Sequence, residues 1–318
     1  MRSSFAILVT LLLALTATAQ MTPAQNQAAN PNAQPQAQSG APSASSNNPQ
    51  APSSKAGGHK LPQAKTQDEF KAYQDAASKT DPAQMEAAAN AFAAKYPNSE
   101  LKAALYVRAM NMYGQANNSE KVIETGRKAI AADPTNPVPL VQVGSALVEG
   151  TRDTDMDRDQ RLAEAAKDAQ GAIDNIGGLL VPPDAPADRV AAVKASILTM
   201  AYDSLGMVNL NKKDYAAAEQ ELLKAVDASK AQPEAVVFLR LSVAQDQLKQ
   251  YPQALESATK AAQYAPPGSA AQNLAQQQQA RLQKLIAGGT PAVPSGTAPA
   301  TPAPATQAPA QTSPNTPH

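Results

Sequence analysis

The chain of 318 residues has no cysteine and no tryptophan, and it has two histidines. The missing cysteine excludes disulfides, thiol catalysis, cysteine-based zinc sites and a lipidated cysteine anchor. The histidines, His59 and His318, both lie in stretches with no hydrophobic pattern. A Ser-His-Asp triad or a His-rich metal site would therefore draw no histidine from the foldable part of the chain. Lysine plus arginine equals aspartate plus glutamate, 27 each. A nucleic-acid binder would normally carry a basic excess, so that class is disfavoured. No basic run suggests an anionic membrane surface.

Charge is also missing from both ends. None lies between Arg2 and Lys55, and His318 is the only titratable side chain from Gly288 onward. Both stretches are rich in Pro, Ala, Gln, Ser, Thr and Asn, a composition that cannot bury enough apolar surface to offset chain entropy. Residues 20–63 and 288–318 are expected to be disordered, leaving 64–287 as one folded domain.

The start reads as a secretory signal over 1–19. Arg2 supplies the positive charge, Phe5 to Leu15 is apolar, and Ala17-Thr18-Ala19 is a small-x-small cleavage site before Gln20. The run is well short of the roughly 20 residues needed to span a bilayer, and no later segment is apolar enough to span one. The expectation is an exported chain, periplasmic or secreted.

Between Ala64 and Ala287 alanine is abundant, apolar residues recur three and four apart, and short breakers intervene. The pattern predicts about eleven helices and no strand. Self-comparison adds a period. Tyr202, Leu205, Gly206, Tyr215, Ala218 and Ala225 match Phe238, Leu241, Ser242, Tyr251, Ala254 and Ala261 at a shift of 36. Tyr106, Met110 and Tyr113 match Leu140, Gly144 and Leu147 at a shift of 34. Met85, Ala89, Phe92 and Pro97 match Val122, Gly126, Ala129 and Pro134 at a shift of 37. Two helices per such period mean a helix-turn-helix solenoid.

These residues resemble the tetratricopeptide repeat family. That motif has an aromatic early in its first helix, a Leu-Gly pair one turn on, alanines on its second helix, and then a proline. The unit with Phe238, Leu241-Ser242, Tyr251, Ala254, Ala258, Ala261 and Pro266 is the most similar. The resemblance implies an all-α, right-handed superhelical solenoid of about five repeats, near 66–98, 101–134, 137–177, 196–230 and 234–266. The third is interrupted within Gly150 to Gln160. A last helix over 269–287, with Leu274, Leu282, Leu285 and Ile286 as its apolar stripe, is expected to cap the array.

In that family the first helix of each repeat lines a concave groove that holds peptide. Carried over, the groove residues are Val107, Asn111, Val141, Ser145, Met200, Asp203, Met207, Leu239 and Val243. Arg108, Asn111 and Arg240 stand where one subgroup clamps a terminal carboxylate, but the matching lysines are missing. The groove is expected to be mostly apolar and suited to an amphipathic or extended segment.

Two local patterns have simpler readings. Asp153 to Asp159, with Glu164, alternates carboxylates like a calcium loop, but Arg158 occupies the glycine position. A solvated insertion, lying away from the groove, explains it without metal. Asn117-Asn118-Ser119 matches a glycosylation acceptor, but between two helices Asn and Ser are more often simply turn formers.

The resulting expectation is a non-catalytic interaction scaffold or adaptor of the cell envelope that binds protein or peptide segments and needs no cofactor or metal. An assembly or structural factor of an outer-membrane or secretion machinery is the alternative. An accessory enzyme or a carbohydrate-binding protein is a third reading, disfavoured by few aromatic platforms. Export is tested by the intact mass of protein from the cell envelope, expected to lack residues 1–19. A full-length cytoplasmic product would contradict it.

Overall fold

The computed structural model describes residues 61–182 and 184–288. The signal, most of the linker, the proline-rich tail and both histidines lie outside them. The described residues form eleven α-helices and one short 3-10 turn, with no strand among them. The helices are α1 (Gln67–Ala77), α2 (Pro82–Lys95), α3 (Leu101–Gln115), α4 (Ser119–Ala132), α5 (Pro137–Gly150) and α6 (Arg158–Asp174). After the turn Ile176–Gly178 come α7 (Ala187–Asn211), α8 (Tyr215–Ala228), α9 (Ala235–Gln247), α10 (Tyr251–Tyr264) and α11 (Ala270–Ala287). Each helix packs on the next along the chain. The odd-numbered helices also touch one another in succession from α1 to α11, whereas no such series joins the even-numbered ones. The result is an all-α solenoid of two layers, with the odd helices forming the more closely spaced inner layer.

Local chemistry sets the helix starts. Thr66, Asp81, Asn118, Asn136, Asp214 and Ser269 each accept a hydrogen bond from a backbone N–H in the first turn that follows. Pro82 and Pro137 open α2 and α5, where the missing N–H costs nothing.

The turn inside a helix pair repeats. Asn117, Lys213 and Lys249 have φ of 56°, 60° and 60°, the left-handed region. At each, the next residue's N–H reaches back to the last turn: Asn118 to Tyr113, Asp214 to Asn209 and Gln250 to Gln245. This double-bonded ending closes three helices identically and sends the chain back antiparallel. No glycine is used, so each site bears left-handed strain that asparagine tolerates better than lysine.

Close packing comes from small residues. Ala89, Ala129, Ala165, Ala169, Ala218, Ala225, Ala254 and Ala258 are fully buried on the even helices. Gly144 lies against the α6 backbone: a Cβ there would sit 3.1 Å from the Ala165 carbonyl oxygen and 3.3 Å from the Ala169 nitrogen. One at Gly206 would sit 2.6 Å from the Leu222 side chain. In the matching place Ser242 is completely buried, and its hydroxyl donates to the Ala254 carbonyl at 2.8 Å. That bond satisfies the one polar atom the site admits.

Two stretches depart from the simple period. α7 begins at Ala187, nine residues before the expected start at Ser196. Leu179 joins the largest apolar cluster, where Ile176, Val181 and Ala185 pack alongside α5 and α7. Helix α5 is consequently buried at every position from Pro137 to Val148. At the far end the expected α11 stripe divides: Leu282 is fully buried, but Leu274 and Ile286 are 50% and 40% exposed. Leu285 is half-buried, and Ala275 shares the inward side with Leu282.

Asp168 on α6 is buried, and its carboxyl is pushed up to about 6 by burial and then by Glu164, against the opposing pull of Lys167 and Arg127. The folded state therefore holds this proton over a range where the unfolded chain releases it, so stability falls as pH rises from about 4 to about 6. Asp168→Asn is expected to raise stability at neutral pH by about 1–3 kcal/mol, converging with the parent below about pH 4. Urea denaturation at several pH values reads this directly, and an unchanged pH slope would refute the assignment.

Candidate functional site

Ion pairs link successive helices of the same layer at about the repeat spacing. On the outer layer, Arg127 of α4 forks onto Glu164 of α6 through two bonds of 2.6 Å, 37 positions away. Glu86 of α2 accepts from Tyr113 at 2.8 Å, Lys121 at 3.2 Å and Lys128 at 2.7 Å. Burial pushes the Glu86 carboxyl up, but those three donors outweigh it and hold the group at about 2.

The inner layer has its own series. Asn111 of α3 accepts from Gln142 of α5 at 3.1 Å. Asp203 of α7 pairs with Arg240 of α9, 37 positions on, and Asp246 of α9 pairs with Arg281 of α11, 35 positions on. Arg240 also approaches Glu149 of α5 at 3.7 Å. One guanidinium thus meets carboxylates from the two preceding inner helices. The Asp203 side chain is 16% exposed, and its Oδ1 is buried with no hydrogen-bond partner. Burial pushes both carboxyls up and Arg240 pulls both down, with burial prevailing.

The nine carried-over groove residues divide into two groups. Val141 is completely buried, and Asn111, Ser145 and Met200 are 7–8% exposed. These four are core residues, because α7 and the segment from Ile176 to Ala185 pack against the same cluster as α5. Val107 is half-buried against the two N-terminal clusters. Core packing therefore closes the inner face along α5 and the first part of α7.

The other four residues lie on α7 and α9. Asp203 is in the ion cluster, Met207 and Leu239 are half-buried, and Val243 is 38% exposed. The two inner ion pairs show the register of these helices. Leu274 of α11 lies 35 positions after Leu239, the spacing of Arg281 after Asp246. Met207 stands one turn beyond Asp203, and Val243 stands nearly one turn beyond Arg240. Met207, Leu239, Val243 and Leu274 therefore share one strip of the inner face, bracketed by the two ion pairs. Sequence reasoning missed Leu274 in this role, as well as Glu149, Asp246 and Arg281. The available signal was opposite charge recurring at the apolar period.

The acidic insertion is bound by its own arginine. Arg158 bonds Asp153 at 3.3 Å and Asp159 at 3.1 Å, and Arg152 N–H donates to Asp155 at 2.8 Å. No group of three or more metal-ligating residues converges among the described residues. Arg158 also donates to the Asn211 carbonyl, so the insertion contacts the end of inner helix α7 rather than standing apart from the inner layer. Asn117-Asn118 is the turn before α4, with Asn118 acting as its cap.

No protein-family model matches the sequence, and no curated protein matches it either.

Among these contacts the Asp203–Arg240 pair is the most enclosed inner bridge, with side chains 16% and 14% exposed. Arg240→Met would leave a buried carboxylate without its cation. The expected loss is about 3–5 kcal/mol at neutral pH, shrinking on acidification as Asp203 takes up a proton. Adding Asp203→Leu should recover most of it. Chemical denaturation of both variants and the parent tests this, and a single variant as stable as the parent would contradict it.

Proposed function

We propose that the chain is a non-catalytic binding scaffold of the tetratricopeptide type, exported to the cell envelope, which holds protein segments on the inner face of α7, α9 and α11. The observation that carries this reading is the apolar strip. Val243 and Leu274, 38% and 50% exposed, lie on successive inner helices beside half-buried Met207 and Leu239. Large apolar side chains gathered on one face suit an interface better than a solvated surface does. The recurring left-handed turns, buried alanines and one-repeat ion pairs support the family assignment.

The energetics are adequate. Covering one such side chain fully is worth roughly 1.5–3 kcal/mol, and these are partly covered already. Three or four together support micromolar binding of an extended segment after its ordering cost. Met207 is adaptable and suits more than one ligand sequence. Backbone groups at the inner face are already used within helices, so recognition rests on side chains.

The test is capture of envelope proteins by the full chain, compared with the variant Val243→Asp. Val243 is exposed, so the variant should keep its helical circular dichroism while losing at least about tenfold in capture. Capture should persist in a chelator. Equal capture by parent and variant would place binding elsewhere.

A further inference from the structure

Building on the proposed binding face, we infer that the segment it takes carries a lysine or arginine next to apolar side chains. The charges around the strip decide this. At its α11 end, Asp246 and Arg281 pair one to one. At its α5 end, Glu149 and Asp203 share the single cation Arg240. Asp203 takes the close contact. Glu149 is left at 3.7 Å from the guanidinium, and its side chain is 41% exposed. The cluster therefore has one carboxylate more than it has cations, and Glu149 holds the longer and more solvent-exposed of the two contacts.

The geometry joins this charge to the apolar strip. Arg240 adjoins Leu239 in sequence and lies nearly one turn before Val243, while Asp203 lies one turn before Met207. A cationic side chain reaching Glu149 would leave the rest of its segment over Leu239, Val243 and Leu274. A lysine or arginine stem lies well on apolar surface while its head pairs with a carboxylate. An acidic segment meets repulsion from the surplus carboxylate, so the face discriminates by rejection as well as attraction. The chain's own tail from 289 to 317 is uncharged and cannot supply the cation.

The experiment is selection from a random octapeptide phage library on the immobilised full chain, followed by affinity measurement for the selected peptides. Glu149→Gln and Glu149→Lys are run beside the parent, with circular dichroism as the folding check. Peptides selected on the parent should pair a lysine or arginine with apolar residues. Replacing that basic residue by glutamate should weaken binding at least about tenfold at low salt, with a smaller loss at high salt. Glu149→Gln should reduce the preference severalfold, and Glu149→Lys should reverse it. Apolar peptides without basic enrichment, or a preference indifferent to Glu149, would overturn this inference and leave the binding face standing. Peptides that bind Val243→Asp as well as the parent, or no selection at all, would overturn the face itself. Selection of sequences matching the proline-rich tail would instead identify an internal ligand and refute the basic partner.

Discussion

Everything else in this solenoid depends on how closely two antiparallel helices can approach. Alanines occupy the even helices where they face their partners, and Gly144, Gly206 and Ser242 occupy the matching inner positions. At Gly144 the neighbour is backbone, which has no rotamer to change. Larger side chains at these places would separate the layers. Within each layer, ion pairs then link successive helices at about one repeat. The close pairing thus fixes the spacing, and the spacing makes recurring charge partners possible.

The two layers use charge differently. Glu86 on the outer layer gathers three donors, and its two lysines also bond Glu124, so two cations meet two carboxylates there. The inner cluster around Arg240 is undersupplied. That uneven inner site lies beside the exposed apolar residues on which the proposed binding rests. The closed central part adds rigidity behind it. With α5 enclosed along most of its length, α7 is held on one side by a packed core and presents its other side toward α9.

Much of the architecture was legible in the sequence. The Tyr202-to-Phe238 alignment falls on the helix pairs α7–α8 and α9–α10, apart from the early start of α7, because aromatic, glycine and alanine positions reflect packing that local pattern can report. The all-α assignment followed from alanine content and periodicity. The start of α7 was not legible, because the prolines before Ala187 look like a linker and Val193 and Ile197 match no other unit. Val141, Ser145 and Met200 looked like groove residues because the family pattern assumes an open inner face. Here a non-repeating segment packs into that region, and nothing periodic announces it. Leu274 was taken as part of a buried stripe, whereas the final helix has only one neighbouring pair to pack against.

The proposed function places a partner on the inner face of the C-terminal helices. Hydrogen exchange measured by mass spectrometry, on the full chain with and without a saturating selected peptide, tests it most directly. Slower exchange should appear in α9 and α11, with α8 and α10 unchanged, because side-chain coverage of the inner layer suppresses local opening there. Protection confined to α8 and α10, or to the acidic insertion before α6, would contradict the account.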